Sequence, residues 1–443
     1  MSSDLMTRVQ EDGVQFISLQ FTDILGMIKS VTIPVGRLEE LTSNLVWFDG
    51  SSIEGFARIY ESDMVLVPDL TTYQVFPWSA PERRRARLIC DAHGPDGQPS
   101  PNVPRLALKR SLAQAAGLGY VCNVGPEMEF FLFKRNDERP TQPVPHDVGS
   151  YFDFSPRDEA QQVRSEIILA LEGMGLEVEM SHHECAIGQH EIDFRYADAL
   201  TSADNVVTFK YTVRAIAASH GIYASFMPKP IFGIAGSGMH THQSFFDTEG
   251  RNLFYDPDDE YNLSRLAYNF IAGQMMHARA LAAVVAPTVN SYKRLTPGYE
   301  APVYICWAQL NRSALIRVPG HGQQHEGATR AELRCPDPSA NPYLAFTAML
   351  AAGLDGIERD LTPPPPVNED VYDFDERDLR ERAIGTLPDT LAEALDALEQ
   401  DEVILEALGP AITAAFMRAK RVEWDEYRIQ VTNWELERYL ETA

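Results

Sequence analysis

The sequence has little that would suit a redox, membrane-spanning or nucleic-acid-binding protein. Its 443 residues hold five cysteines: Cys90, Cys122, Cys185, Cys306 and Cys335. They are scattered, odd in number and form no CxxC pair, so neither a disulfide framework nor a cysteine-based zinc site is indicated. No stretch approaches the ~18 uninterrupted apolar residues of a membrane span. The first residues carry Asp4, Glu11 and Asp12 and lack the apolar core of a secretory signal, so a cytoplasmic location is expected. Positive charge is scarce, with 38 Lys and Arg against 64 Asp and Glu and a formal net charge of -26. That imbalance argues against nucleic acid or an anionic membrane as a bulk partner. It also means that an anionic substrate must be met by a local cluster of arginines. The chain lacks GxxxxGKS/T, so a bound nucleotide would not be held by a P-loop.

Length suggests two or three domains. The segment 93–104, rich in Pro and Gly, forbids a regular element and reads as a domain boundary. A small β-rich domain (1–100) would precede a larger one (101–443). In the larger part, apolar periodicity predicts helices over 105–117, 157–174, 202–220, 262–285, 388–408 and 411–422. Strands are expected around 176–184 and 190–196, with a turn near Gly188.

The chemistry lies in charged clusters on predicted strands. In Gly-Pro-Glu-Met-Glu-Phe-Phe-Leu-Phe (125–133), residues two apart share a strand face, so Glu127 and Glu129 project into one space. Two close carboxylates repel unless they are solvated or a cation compensates them. Glu184 and Glu191 would approach each other if 176–184 and 190–196 form a hairpin; a solvated, salt-bridged face is the alternative. His240 and His242 follow a glycine loop, Gly236-Ser-Gly238, that allows close backbone approach to a ligand. Arg294, Arg312, Arg317, Arg330 and Arg334 form a basic patch within 294–334, suited to carboxylate and phosphate oxygens or else to an ion-pair network with Glu300, Glu326 and Glu332. Carboxylates with one or two imidazoles suit hard divalent cations, Mg²⁺ or Mn²⁺ rather than zinc. Two such ions with arginines are the equipment of phosphoryl transfer.

The motifs FDGSSIEGF (48–56), GPEMEFFLF (125–133), HHE (182–184), MPKPIFGIAGSGMHTHQS (227–244), NSYKRLTPGYEAP (290–302), NRSALIRVP (311–319) and RAELRCPDPSANPYLA (330–345) resemble, in order and spacing, the glutamine synthetase family in its type I form. The resemblance covers essentially the whole chain. It implies an α+β fold: a small β-grasp-like N-terminal domain on a large catalytic domain whose curved antiparallel sheet is flanked by helices. It implies ATP-dependent ligation of ammonia to the γ-carboxylate of glutamate through γ-glutamyl phosphate, with at least two Mg²⁺ or Mn²⁺ ions per site. By resemblance, Glu129, Glu184 and Glu191 hold one metal, and Glu127, His240 and Glu332 the other. Gly236, Arg294 and Arg334 bind glutamate, with Glu129 nearby. His242 and Ser244 line the nucleotide side, and Arg312 and Arg317 clamp phosphate. Asp49, contributed by a neighbouring subunit, takes the ammonium proton. Glu300 is the lid residue of the flap. The resemblance further implies a homo-oligomer, a dodecamer of two hexameric rings, with 429–443 as an arm between rings. A nitrogen-regulatory protein is a partner it admits.

Two positions set the chain apart from the family pattern, and the chain is shorter than the adenylylated forms. Ala235 stands where Asn is usual. Tyr372 lacks the surroundings of an adenylylated tyrosine. Arg58 resembles the regulatory arginine of the feedback-controlled subgroup. The rival readings are a γ-glutamyl ligase that uses an organic amine or polyamine, and a non-catalytic paralogue. Asp49-Gly-Ser-Ser and Glu300 favour ammonia, because a bulky amine needs that pocket opened.

Overall fold

The structure is a computed structural model and describes residues 2–38, 46–51, 53, 55, 63–136, 142–299, 301–320 and 326–442. Arg58 and Glu300 lie outside the described residues.

Apolar residues in short runs build a first sheet of β1 (Phe16–Thr22), β2 (Ile28–Pro34), β3 (Val46–Asp49), β4 (Asp63–Val75) and β5 (Arg85–His93), in the order β2-β1-β5-β4-β3. β1 and β5 run parallel, with Leu19 opposite Leu88, and the other pairs are antiparallel. Ile17, Leu19, Leu66, Leu88 and Ala92 of this sheet are fully buried. They share a core with Leu5 and Val9 of a helix over Ser2–Glu11 that periodicity did not predict. Asp23 ties the β1–β2 turn by accepting from Leu25 N (3.0 Å) and Met27 N (2.8 Å). Gly26 closes it at φ +81°, where a Cβ would lie 3.0 Å from Asn341 Cα. The turn is thereby seated on the large domain, and Asn341 Nδ2 donates to Asp23 O at 3.0 Å.

The second sheet has eleven strands: β6 (Val121–Lys134), β7 (Val144–Pro145), β8 (Val178–His183), β9 (Gln189–Phe194), β10 (Ala197–Asp198), β11 (Ile222–Ser225), β12 (Thr241–Phe246), β13 (Tyr304–Ala308), β14 (Ala314–Arg317), β15 (Ala331–Leu333) and β16 (Gly385–Thr386). Its main path is β16-β13-β14-β15-β12-β6-β9-β8, antiparallel except for β13 with β14. β6 is the axis. Its first half pairs with β12 and its second with β9, so residues from both neighbours meet over its middle. Strand alternation sends Met128, Phe130 and Leu132, all fully buried, into the main core, and turns Glu127 and Glu129 to the other face. Helices Gln161–Gly173, Ala199–Ser219, Arg265–Met276, Ala278–Val285 and Pro342–Glu358 supply that core. The α+β class with a β-grasp N-terminal sheet holds.

Two expected long helices are broken. The span 262–285 divides at His277, and 388–408 divides into Leu391–Glu399 and Glu402–Leu408. Asp401 caps the last of these by accepting from Ile404 N at 3.1 Å. Its other oxygen accepts from His277 Nδ1 at 2.6 Å, so one hydrogen bond joins the two breaks. Apolar periodicity runs through both points, and of the two breaks only the second carries a side-chain cap, at Asp401. Among the described residues no helix is long and apolar enough to cross a membrane.

Candidate active site

Register places the acidic residues. Glu127 lies opposite Asp193 and Glu129 opposite Glu191 across β6 and β9, and His182 of β8 lies opposite Glu191. On the other flank, His242 lies opposite Gly125 of β6 and Glu332 of β15, and Arg317 of β14 lies opposite Glu332. Six strands thus converge on one face.

Two clusters of metal-ligand types result. In the first, His240 Nδ1 lies 3.2 Å from Glu127 Oε2 and 3.9 Å from Glu332 Oε1. Glu127, His240 and Glu332 bring donor atoms within 4.8 Å of one another, which is the set expected from sequence. In the second, Glu184 and Glu191 gather with His182 within the same limit. Glu129, expected here, stands between the clusters. Its Oε2 accepts from Gly238 N (2.9 Å) and Gln189 Nε2 (3.0 Å), and its Oε1 lies 4.0 Å from His240 Nε2.

Burial and like charge shape the electrostatics. Burial pushes Glu129 up to about 8, with the Glu184 charge adding to it. Burial and the charge of Glu129 hold Glu191 well above the ordinary carboxyl range. Burial and the charge of Glu127 push Asp193 up to about 7, and Asp193 Oδ1 is buried without a hydrogen-bond partner. Burial would raise Glu127 too, but hydrogen bonds from His240 and His242 outweigh it and hold this carboxyl well below its usual range. Arg330 Nε donates to His242 Nδ1 at 3.1 Å, which fixes the imidazole proton on Nε2, 2.7 Å from Glu127 Oε1.

Two cavities adjoin this face. A large one of about 640 Å³ is lined by Glu127, His242, Ser244, Asp193, Tyr196 and Arg330. A small one of about 40 Å³ is lined by Glu129, Glu184, Gly236, His240, Arg294 and Arg334, together with Ala235 and Tyr299 of the flap. Glu127 therefore faces one cavity and Glu129 the other. Gly236 and Gly238 have no room for a side chain: a Cβ on Gly238 would lie 2.5 Å from Arg294 Nη2, and one on Gly236 would meet Pro228 O. Arg294 is buried and held by the carbonyls of Arg334, Cys335 and Pro336.

Known proteins are similar to this chain along essentially its whole length. The family model "Glutamine synthetase, catalytic domain" matches residues 101–439, and "Glutamine synthetase, beta-Grasp domain" matches 13–95. The chain belongs to the glutamine synthetase family. It is 52% identical over 444 residues to a glutamine synthetase of Thermus thermophilus, covering 99% of each chain. It is 53% identical to one of Halobacterium salinarum, covering 98% of this chain and 95% of that one. The solved GmaS/ADP complex superposes with a TM-score of 0.90 at 36% identity, covering 99% of each chain.

Glutamine synthetases are ATP-dependent ligases that use divalent metal ions. The residues present fit such ions, because buried carboxylates facing one another, one with an unpartnered oxygen, need positive charge and offer hard oxygen donors. The arginines divide. Arg317 and Arg334 both donate to Glu332. Arg312 is exposed, beside the Tyr151 hydroxyl. Asp49 is exposed at the end of β3, the edge of the small sheet, and its carboxylate accepts from Ser51 N at 2.8 Å. Tyr372 donates its hydroxyl to Ala301 O at 2.6 Å.

Sequence reasoning missed Gln189 and Tyr151, and it gave His182 of the HHE motif no role. Gln189 was the most accessible, since it sits two residues before Glu191 on the same strand face. Tyr151 lay outside every element and motif read from the sequence, with no signal to mark it.

Proposed function

We propose that the chain ligates ammonia to the γ-carboxylate of glutamate at the expense of ATP, in the site where Glu127 and Glu129 look into adjoining cavities. That two-residue spacing on β6 is the observation that carries the reading, because it turns Glu127 to one cavity and Glu129 to the next along the same strand face, where phosphoryl donor and acceptor would lie side by side. ATP occupies the large cavity against His242 and Ser244, and glutamate the small one against Gly236, Arg294 and Arg334. Glu127, His240 and Glu332 would hold one divalent ion, and Glu129, Glu184 and Glu191 the other, Mg²⁺ or Mn²⁺. Bound there, the ions neutralise the phosphates and these carboxylates.

The γ-carboxylate oxygen of glutamate attacks the γ-phosphorus, ADP leaves, and γ-glutamyl phosphate forms. Arg312 and Arg317 neutralise the transferring group. Ammonium cannot attack until it loses a proton, which Asp49 of a neighbouring copy accepts. Ammonia then adds to the acyl carbon and phosphate departs. Glu300 closes the flap and keeps water from the acyl phosphate. The exposure of Asp49 on an edge strand suits delivery to another protomer, and supports an oligomer with sites between subunits, a dodecamer in the cytoplasm. The division at about residue 100 separates the part that donates Asp49 from the part that receives it. Arg58 is assigned to feedback control by glutamine, and a nitrogen-regulatory protein is a partner to be sought by co-purification.

The test is ADP release with glutamate and Mg²⁺ or Mn²⁺, comparing ammonium with ethanolamine and polyamines. Ammonium-dependent turnover with glutamine as product is expected. Turnover with an organic amine alone, or no metal-dependent ADP release at all, overturns the reading.

A further inference from the structure

Behind the Glu184–Glu191 hairpin lies a third group of metal-ligand types, Asp147, His183 and His190, all buried. Its hydrogen bonds are those of a support, with Asp147 Oδ2 and His190 Nε2 left buried without a partner. Arg164 donates to His190 Nδ1 at 3.0 Å, setting a guanidinium against that ring. Both nitrogens of His183 are spent: Nε2 donates to Asp147 Oδ1 at 2.9 Å, and Nδ1 to Glu184 O at 2.7 Å. Asp147 Oδ1 also accepts from Gly188 N at 3.1 Å and Gly149 N at 3.4 Å. One carboxylate, partly through one imidazole, therefore grips the turn 184–188 at both ends. The turn closes with Glu184 N donating to Gln189 O at 2.8 Å, and β6 anchors it through Leu132 N on Gly188 O, also at 2.8 Å.

We propose that Asp147 is a positioning residue for the metal centre: with His183 it locks the turn so that Glu184, Gln189 and Glu191 converge, and cation affinity depends on that lock. The inference rests on the metal-site reading given above. A buried ion pair is a costly way to fill a core, and an apolar pair of similar volume would serve stability as well. What the ionic pair adds is direction, because it fixes the carbonyl of Glu184 and the amide of Gly188 at once. Outer partners of this kind alter metal affinity even though they touch no metal. Gly149 offers an independent way to disturb the lock, since a Cβ there would lie 2.5 Å from His183 Nε2.

The experiment titrates Mn²⁺ calorimetrically into metal-free, full-length wild type, Asp147→Asn, Gly149→Ala and Glu184→Gln, with metal-free melting temperatures alongside. Asp147→Asn and Gly149→Ala are expected to bind Mn²⁺ ~10–100-fold more weakly with the number of sites unchanged. Their kcat at saturating Mn²⁺ should stay within about threefold of wild type, the split that separates lost metal binding from lost chemistry. Wild-type affinity in the folded variants overturns the proposal. Loss of one Mn²⁺ per chain also overturns it, because the buried trio would then be a cation site. Collapse of both variants without metal assigns the trio to folding and overturns it too. If Glu184→Gln binds Mn²⁺ as wild type does, the metal-site reading itself is what fails.

Discussion

Glu129 and Glu191 face each other directly across β6 and β9, and each is 7% exposed. Two buried carboxyls in register cannot both ionise cheaply, and burial with the neighbouring Glu184 charge pushes Glu129 up to about 8. In the unfolded chain such a carboxyl ionises near 4.5. As pH rises through that value the unfolded state gives up its proton while the folded state keeps it, so native stability falls between pH ~4.5 and about 8. A divalent cation removes the penalty and displaces the protons. The metal-free protein should therefore melt lower at pH 8 than at pH 5.5, and Mn²⁺ should raise the melting temperature more at pH 8. Calorimetry in two buffers of different ionisation enthalpy should register proton release on binding. Glu129→Gln should flatten the pH slope and lower turnover by about three orders of magnitude, the several kcal/mol expected of a metal ligand. A pH-independent melting temperature in the metal-free wild type would contradict this.

Much of this face was legible in the sequence because strands alternate with a period of two. The spacing of Glu127 and Glu129, the hairpin carrying Glu184 and Glu191, and the pairing of His240 and His242 follow from that rule alone. What stayed hidden depends on partners far along the chain. Gln189 holds Glu129 across 60 residues, and Asp147 reaches His183 across 36. No local pattern encodes either contact. The helix breaks at His277 and near Asp401 were missed because the apolar rhythm continues through them, while the side-chain hydrogen bonds found there join distant residues.

The chain Arg330–His242–Glu127 predicts a split between the two substrates. Arg330 lines the large cavity and fixes the tautomer that lets His242 donate to Glu127. Arg330→Gln removes the cation and the constraint together. The KM for ATP should rise about tenfold or more, as expected for loss of a charged hydrogen bond. The KM for glutamate, proposed to bind in the small cavity beside Glu129, should stay within about twofold. Initial-rate kinetics with each substrate varied separately check this, and equal rises in both would contradict it.

His277 gives a pH effect of opposite sign, away from the active site. Burial disfavours its charge, but hydrogen bonds to Asp401 (2.6 Å) and Asp355 (3.0 Å) outweigh burial and hold the imidazole above its ordinary range. Its stabilising contribution is full below the unfolded value near ~6.5 and is lost as pH rises through the higher folded value. His277→Gln should thus be most destabilising at pH 6, with a penalty that shrinks toward pH 9. Melting of wild type and variant across that range is the measurement. A penalty that grows with pH would contradict the assignment.

Arg105 joins the small domain to the large one through a buried knot of carboxylates. Its guanidinium lies 2.9 Å from Asp69 on β4, 3.4 Å from Asp91 on β5 and 2.8 Å from Asp204 on the helix Ala199–Ser219. Tyr343 donates its hydroxyl to Asp204 at 2.6 Å, and Lys109 lies 2.6 Å from Asp91. Arg105 is 3% exposed, so removing it strands buried Asp204 and Asp91, with Lys109 able to compensate only Asp91, while Asp69 keeps partial access to water. Arg105→Met keeps most of the volume and deletes the charge. It should cost ~3–5 kcal/mol, the range for breaking a buried pair from one side. Part of that loss should return at low pH as the stranded carboxyls take up protons. Arg105→Met combined with Asp204→Asn should be less destabilised than the two single losses summed, because the double variant no longer buries the same unpaired charge. Denaturant unfolding of the four proteins completes the cycle, and simple additivity would show that Asp204 does not depend on Arg105 as its counterion.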